Sequence, residues 1–383
     1  MIQMFDPKRE YKNNKERIDT SIQNVLNHGL FINGPEVKQL EPLLAEFTGV
    51  KHAITVSNGT DALQIALMAL GVESGDEVIT VAHSWISTVE VISLIGAIPV
   101  FCDICPETFN MDHTKLEALI TKKTKAIMPV SLYGQTADMD AINEIANKYN
   151  IPVIEDGAQS FGAMYKGKRT GNLSTIGTTS FFPSKPLGCY GDGGAIFTNS
   201  DELNEKIRMI KNHGALKRFQ HKVVGMNARL DTIQAAILKT KLTWYDTSMD
   251  MRNSCAKYYS DNLKDLRDIV TPKIREGCYS VWAQYSLLAP NKKSRDFIVD
   301  YFKKNGVNAA IFYPAPLHLQ ECFGYLGYSR GDLPITEEIC DRVFNLPCYG
   351  EFSKEEQDTV MGVLKECLEI LKKKIMNQPN NTI

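Results

Sequence analysis

The sequence lacks a strong excess of charge of either sign. Its 383 residues include 43 lysines and arginines against 45 aspartates and glutamates, which gives a formal net charge of -2. A chain this close to neutrality has no general attraction to nucleic-acid phosphates or to an anionic membrane. Basic residues are scattered apart from Lys372, Lys373 and Lys374, which we interpret as the charged end of a terminal helix. We therefore expect no nucleic-acid partner.

Long hydrophobic runs are also missing. No segment approaches 18 consecutive apolar residues, so we predict no transmembrane helix. The first 14 residues contain no apolar core of the kind that a secretory signal peptide needs. These two absences predict a cytoplasmic protein without a membrane partner.

Regular cysteine spacing is absent as well. The nine cysteines are an odd number at irregular positions. Cys102 and Cys105 form a C-x-x-C motif, but no second pair and no histidine stands nearby at the spacing of zinc ligands. We interpret the cysteines as free thiols and predict no metal site.

Short β-rich runs alternate with helical patterns from Lys51 onward. Such alternation predicts an α/β fold in which a largely parallel sheet carries helices on both faces. We expect a large domain over residues 1–251, including an N-terminal helical segment, and a smaller C-terminal α+β domain over 252–383. We also expect disorder in the tail, residues 377–383. The predicted strands are 52–57, 77–81, 98–101, 126–132, 152–155, 177–182 and 194–198, and the predicted helices are 14–28, 35–47, 61–70, 138–149, 230–251 and from 354 onward.

Three motifs follow predicted strands, where the ligand sites of such sheets lie. Residues 57–61, with Gly59 and Thr60, open a helix and suit either a phosphate at its N-terminus or an ordinary capped turn. Asp156 follows the strand 152–155 and could be a buried anion facing a cationic ligand, or a helix cap. Lys185 lies between two prolines and before a glycine-rich turn, which is unusual scaffolding for a surface lysine. A lysine that must meet a fixed carbonyl carbon needs such scaffolding.

Taken together, the motifs resemble those of the DegT/DnrJ/EryC/StrS sugar aminotransferases, a fold-type-I class that uses pyridoxal phosphate. The resemblance covers about residues 29–371 and implies a mostly parallel seven-stranded sheet in the large domain. The chain also has Lys185 where the related sugar dehydratases have histidine, and we expect no DNA-binding module of the kind that a regulator carries. The markers are residues 34–37, 57–63, Glu155, Asp156, Gln159, the segment around Lys185, residues 225–231, and 313–318.

The resemblance also implies a role for each matching residue. Lys185 would hold the cofactor covalently and then move a proton, and Asp156 would pair with the pyridine nitrogen. Trp85 would stack on the cofactor ring, and Gln159 would contact its phenolic oxygen. Asn227 would reach the phosphate in a neighbouring subunit, which implies a homodimer with shared active sites. The implied phosphate ligands within the chain are Gly59, Thr60 and Ser180.

The segment around Lys185 and residues 313–318 resemble the branch that aminates C-3 of a sugar. The implied reaction transfers an amino group from L-glutamate to a UDP-2-acetamido-2-deoxy-3-oxo-glucuronic acid, for a surface polysaccharide such as O-antigen. Arg229 would meet the sugar carboxylate, and Tyr313 and His318 would also bind substrate. Phe312 departs from the histidine of several relatives. A C-4 sugar aminotransferase and a non-catalytic sensor are the alternatives.

Overall fold

A computed structural model of the chain describes residues 1–266 and 268–376, so the predicted disordered tail lies outside the described residues. None of the helices in these ranges is long and apolar enough to cross a membrane. The strands are β1 (His52–Val56), β2 (Glu77–Val81), β3 (Ile98–Cys102), β4 (Thr124–Ile127), β5 (Ile154–Asp156), β6 (Met164–Tyr165), β7 (Lys168–Arg169), β8 (Ile176–Ser180), β9 (Gly194–Thr198), β10 (Ala215–Lys217), β11 (Gln220–His221), β12 (Cys278–Tyr279), β13 (Tyr285–Leu288) and β14 (Val343–Leu346).

Helices alternate with the strands from β1 to β5, and β5 to β9 then follow one another along residues 154–198 without a helix between them. Short 3-10 helices cover Glu117–Leu119, Leu132–Gly134, Leu317–Leu319 and Glu321–Leu326. The α-helices are α1 (Pro7–Asn13), α2 (Lys15–His28), α3 (Pro35–Thr48), α4 (Gly59–Ala69), α5 (Ser87–Leu94), α6 (His113–Leu116), α7 (Met139–Lys148), α8 (Asp201–Ile210), α9 (Thr232–Leu242), α10 (Tyr245–Leu263), α11 (Lys292–Lys304), α12 (Pro334–Arg342) and α13 (Lys354–Met376).

The central sheet has the strand order β3-β2-β4-β5-β8-β9-β1. Parallel pairing joins β3 to β2, β2 to β4, and β5 to β8, while β9 runs antiparallel to both of its neighbours. Between β4 and β5 the parallel contact consists of single bridges, Ile127 to Val153 and Val130 to Asp156. The described chain therefore contains the mostly parallel, seven-stranded sheet that the resemblance implied.

Alternate residues of the strands serve the two faces of the sheet. In β1, Ile54 and Val56 pack with α4 and α8, whereas Ala53 packs with α3 and α9 on the opposite face. Helix boundaries follow local signals. Gly29 ends α2 in the left-handed conformation with φ 69°, and the Asn58 side chain caps α4 by accepting from the Asp61 amide at 2.7 Å.

The C-terminal part has its own apolar core around the antiparallel pair β13 and β14. The N-terminal residues Ile2 and Phe5 pack against this core, and Ile2 forms a backbone bridge with Val307. Helix α10 continues across residue 251, where the sequence placed a domain boundary. The division into residues 1–251 and 252–383 stays a prediction.

Two predicted elements were wrong in extent. The strand predicted over 126–132 ends at Ile127, because Pro129 has no amide proton to continue a ladder. The single helix predicted over 230–251 is two helices, α9 and α10, separated at Thr243 and Trp244. There the Thr243 hydroxyl donates to the Thr240 carbonyl at 2.7 Å, and this side-chain bond competes with the helical ladder.

Candidate active site

A cavity of about 770 Å³ opens beyond the carboxyl ends of the central strands. Its walls come from the N-terminal ends of α4 and α5, the segments after β5 and β8, and residues 311–314. This is the edge at which α/β sheets bind ligands. It brings together eight of the eleven predicted site residues: Gly59, Thr60, Trp85, Asp156, Gln159, Ser180, Lys185 and Tyr313.

Lys185 lies in a tight loop after β8. Its amide donates to the Phe182 carbonyl at 2.8 Å. A Cβ atom at Gly188 would stand 2.6 Å from the Pro183 carbonyl oxygen, so the loop closes only with glycine there. The lysine is half-buried, and burial lowers the pKa of its amine while Asp156 opposes the shift. A lowered pKa leaves more of the amine unprotonated and able to attack a carbonyl carbon.

Asp156 ends β5 and is held by two donors. The Thr88 hydroxyl donates to its Oδ2 at 2.8 Å, and the Ala158 amide donates to its Oδ1 at 3.1 Å. Burial raises the pKa of this carboxyl, and these two hydrogen bonds and Lys185 oppose the increase. A buried, fixed carboxylate of this kind can pair with a cationic ring nitrogen in the cavity.

The N-terminus of α4 faces the cavity. The amides of Gly59 and Thr60 belong to the first turn, where no helical carbonyl is available to accept from them. A Cβ atom at position 59 would lie 2.7 Å from the Cβ of Ser180, so glycine allows α4 to approach β8 closely. The Thr60 hydroxyl lies 2.7 Å from the Ser87 hydroxyl. Amides and hydroxyls arranged around a helix N-terminus suit a phosphate group.

Aromatic and amide side chains complete the cavity. Trp85 is 58% exposed in the described chain although it is a large aromatic residue. Its ring centroid lies 6.2 Å from that of Tyr313. The Gln159 Nε2 atom donates to the Tyr313 hydroxyl at 3.1 Å. An aromatic wall beside a lysine, a carboxylate and a phosphate cradle fits a flat, phosphorylated pyridine aldehyde, which is the chemical nature of pyridoxal phosphate.

His318 lies outside the cavity. Its side chain is 1% exposed and its Nε2 atom is 3.1 Å from the Glu337 carboxylate. The Phe101 ring is a further neighbour of the imidazole. His318 is therefore buried in the protein core. Its role in substrate binding stays a prediction.

Asn227 and Arg229 also lie outside the cavity of their own chain. They belong to a surface segment, residues 212–229, in which Asn212 and Asn227 form an antiparallel backbone bridge. Asn227 is exposed, whereas Arg229 is half-buried and its Nη1 atom donates to the Asn212 Oδ1 atom at 2.8 Å.

Sequence reasoning missed the supporting residues of α5. Thr88 positions Asp156, and Ser87 bonds Thr60. The signal that could have found them was the concentration of hydroxyl residues around Trp85, in the stretch 84–88 shortly after the end of β2. Gln284 was missed as well; it lines the cavity and belongs to the C-terminal part of the chain.

Known proteins resemble this chain over most of its length. The model of the DegT/DnrJ/EryC1/StrS aminotransferase family matches residues 12–365. The UDP-2-acetamido-2-deoxy-3-oxo-D-glucuronate aminotransferase of Pseudomonas aeruginosa is 52% identical over 91% of this chain and 95% of its own length. A pleiotropic regulatory protein of Geobacillus stearothermophilus is 44% identical over 95% of this chain and 98% of its own length.

A solved structure agrees with the sequence comparisons. NtdA of Bacillus subtilis, solved with the bound cofactor PMP, superposes with a TM-score of 0.87 at 33% identity. The match covers 93% of this chain and 82% of that chain. This likeness confirms the predicted fold-type-I architecture.

Proposed function

Because this chain belongs to the DegT/DnrJ/EryC1/StrS aminotransferase family, we propose that it aminates C-3 of a UDP-2-acetamido-2-deoxy-3-oxo-glucuronic acid. It is an aminotransferase with pyridoxal phosphate as its cofactor. The proposed amino donor is L-glutamate, and the proposed pathway builds a surface polysaccharide such as O-antigen. The observation that carries the proposal is the 52% identity, over 91% of the chain, to a relative named for this substrate.

The roles of the cavity residues follow from their chemistry. Lys185 would hold the cofactor, and its Nζ atom would accept and return the proton that moves during amino transfer. Asp156 keeps the pyridine nitrogen protonated. Bound pyridoxal phosphate then supplies an electron sink that makes the proton beside the transferred nitrogen labile. In support, Asp156 is buried and its two oxygens are fixed by donors.

The remaining cavity residues bind and orient the cofactor. Gly59, Thr60 and Ser180 hold its phosphate, and Trp85 stacks on its ring. Gln159 donates to its phenolic oxygen, and Tyr313 contacts the substrate. The closeness of these residues around one cavity supports the assignment.

We place the Asn227 contact in a partner subunit, so that the enzyme is a homodimer with shared active sites. The support is an exposed apolar surface beside the surface segment 212–229. Leu30, Phe31 and Ile32 are 55%, 48% and 52% exposed, and Ile32 bridges Asp231. Val224 is 86% exposed. A soluble protein rarely leaves such residues uncovered together, which favours a protein contact here.

Arg229 is the proposed ligand of the sugar carboxylate. Its Nη1 atom is held by Asn212, whereas its Nε atom is buried and has no hydrogen-bond partner within the described chain. The Asn212 contact orients the guanidinium, and the nitrogen atoms at its terminal end are the ones that could bind a carboxylate. We propose a cytoplasmic location, consistent with nine free cysteines.

A screen of amino sugars tests the substrate assignment. The purified enzyme is loaded with cofactor and offered 2-oxoglutarate together with UDP- and dTDP-linked 3-amino or 4-amino sugars, so that the reaction runs in reverse. We expect the UDP-linked 3-amino uronic acid to react fastest. If a 4-amino sugar reacts fastest, the enzyme aminates C-4 of the sugar and the proposed C-3 reaction is wrong.

The name of the Geobacillus stearothermophilus relative keeps a regulatory function as the second candidate. Glutamate separates the two candidates. A transaminase takes the amino group, so adding glutamate bleaches the visible absorbance of the lysine-bound cofactor and yields 2-oxoglutarate. A pure sensor leaves the absorbance unchanged.

A further inference from the structure

Tyr133 adopts an uncommon backbone conformation next to the cavity. It follows β4 and has a φ of 57° and a ψ of 12°, in the left-handed region that bulky residues seldom occupy. The residue is 6% exposed and does not line the active-site cavity. A bulky residue persists in this conformation only where the surroundings hold it firmly, and such positions cluster at functional sites.

A directed chain of hydrogen bonds runs through the Tyr133 side chain. Its hydroxyl donates to the Phe312 carbonyl. Because a phenol has one proton, the hydroxyl must accept at its other contact, from the His83 Nε2 atom at 2.9 Å. The His83 Nδ1 atom is then the acceptor for the Cys340 thiol at 3.3 Å. Burial lowers the pKa of His83 to about 3, which keeps the imidazole neutral, as this pattern requires.

Residue 312 is thereby fixed at both ends of its backbone. Tyr133 holds the Phe312 carbonyl, and the Asn345 side chain accepts from the Phe312 amide at 3.0 Å. Asn345 is itself oriented, because its amide nitrogen donates to the Ser286 hydroxyl at 2.7 Å. Tyr133 belongs to the end of the central sheet, while Asn345 belongs to β14. The pair therefore sets where Tyr313 enters the cavity.

The Tyr133 amide fixes a second cavity residue. It donates to the Gln159 Oε1 atom at 3.0 Å. With its oxygen occupied, Gln159 must present its amide nitrogen to the cavity, and that nitrogen donates to the Tyr313 hydroxyl at 3.1 Å. The left-handed conformation of Tyr133 lets one residue direct its amide to Gln159 and its hydroxyl to Phe312.

We infer that Tyr133, backed by His83, is a positioning residue that holds Gln159 and Tyr313 in the orientation needed at the phenolic oxygen of the cofactor. The inference rests on the proposed contact of Gln159 with that oxygen. Tyr133 acts through these two neighbours and does not touch the reacting atoms. A donor at the phenolic oxygen favours its charged form, so a misplaced Gln159 raises the pH at which the bound cofactor deprotonates.

The test is a pH titration of the visible absorbance of the cofactor-loaded enzyme. Tyr133→Phe is compared with Tyr259→Phe, which also removes a tyrosine hydroxyl that donates to a backbone carbonyl, that of Pro347 at 2.9 Å in the C-terminal core. Tyr133→Phe should raise the titration midpoint by about 0.5–1 pH unit, and kcat should fall about three- to tenfold. Tyr259→Phe should leave the midpoint unchanged. His83→Leu should shift it in the same direction as Tyr133→Phe, but less.

Gln159→Ala separates this inference from the proposed function. It should raise the midpoint, and adding Tyr133→Phe to it should produce no further shift, because the Tyr133 hydroxyl reaches the cofactor oxygen through residue 312, Tyr313 and finally Gln159, while the Tyr133 amide is kept in both variants. If Gln159→Ala raises the midpoint but neither Tyr133→Phe nor His83→Leu does, the positioning role is wrong. Equal shifts in Tyr133→Phe and Tyr259→Phe would also overturn it. If Gln159→Ala leaves the midpoint unchanged, the proposed cofactor contact of Gln159 fails, and the inference fails with it.

Discussion

The cavity and the surface segment 212–229 hold their predicted site residues in opposite ways. In the cavity, Asp156 and Gln159 are fixed by donors and acceptors of the same chain. On the surface segment, Asn227 is exposed, and Arg229 keeps a buried nitrogen without a partner in the described chain. The cavity gathers its polar groups from one chain, whereas the polar groups of the surface segment lie outside that cavity. This contrast supports a site to which a second subunit contributes.

Lys185→Ala, a substitution in the cavity, should have the largest effect on activity. Removing the amine abolishes both the covalent hold on the cofactor and the proton transfer, so turnover should fall by several orders of magnitude. Steady-state kinetics and the loss of the visible absorbance of the lysine-bound cofactor measure the two effects. Lys239→Ala is the matched control, because Lys239 is also half-buried but lies outside the cavity. Substantial residual transamination in Lys185→Ala would refute its catalytic role.

Asp156→Asn should have the second-largest effect on activity. The amide keeps the shape of the side chain but loses the charge that stabilises a protonated pyridine, so kcat should fall by at least about 100-fold. Asp103→Asn is a suitable control because Asp103 is also buried and bonded by backbone amides, but it lies outside the cavity. Near-normal activity of Asp156→Asn would mean that this residue only caps the following turn.

Arg229→Met tests the surface segment, and its effect on activity should be smaller than that of Asp156→Asn. A charge-assisted pair with the sugar carboxylate contributes about 1.5–3 kcal/mol, so the KM for the uronic acid sugar should rise roughly tenfold to hundredfold. The KM for the matching neutral sugar should barely change. Glutamate must be saturating, so that a donor defect is not mistaken for a sugar defect, and Arg208→Met is the nearby control. If Arg229→Met raises the KM for both sugars equally, Arg229 does not bind the sugar carboxylate.

Asn227→Ala should have the smallest effect. It removes one hydrogen bond to the cofactor phosphate, so the Kd for the cofactor should rise about tenfold while kcat at saturating cofactor stays near that of the wild type. Equilibrium dialysis against pyridoxal phosphate measures the Kd. An unchanged affinity would leave Asn227 without a role in phosphate binding.

Much of the cavity could be predicted because its residues follow strand ends in short, recognisable motifs. Gly59, Asp156 and Lys185 each stand just after a β-rich run, and the order of strands in an α/β sheet then brings them together. The sheet itself could be predicted because its strands are short apolar runs bounded by helical patterns.

The remaining features depend on tertiary contacts that have no local signal. Tyr133 and Phe312 are 179 residues apart and meet through one side chain. The break between α9 and α10 depends on how Thr243 bonds to the preceding turn. His318 belongs to a motif that predicted a substrate ligand, but its burial beside Glu337 follows from packing against α12. Sequence motifs identify the reacting groups here more readily than the residues that orient them.

Subunit complementation tests the shared site most directly. One chain carries Lys185→Ala, the other carries Asn227→Ala with Arg229→Met, and the mixed dimer is purified by two different tags. One of its two sites then combines an intact Lys185 with an intact surface segment from the other chain, so at limiting concentrations of cofactor and uronic acid sugar it should have about half the wild-type activity, well above that of either uncombined variant. The control dimer pairs Lys185→Ala with a chain carrying all three substitutions and should be inactive. Activity of the mixed dimer no higher than that of the uncombined variants, or a fully active monomer by sedimentation, would contradict the shared active site.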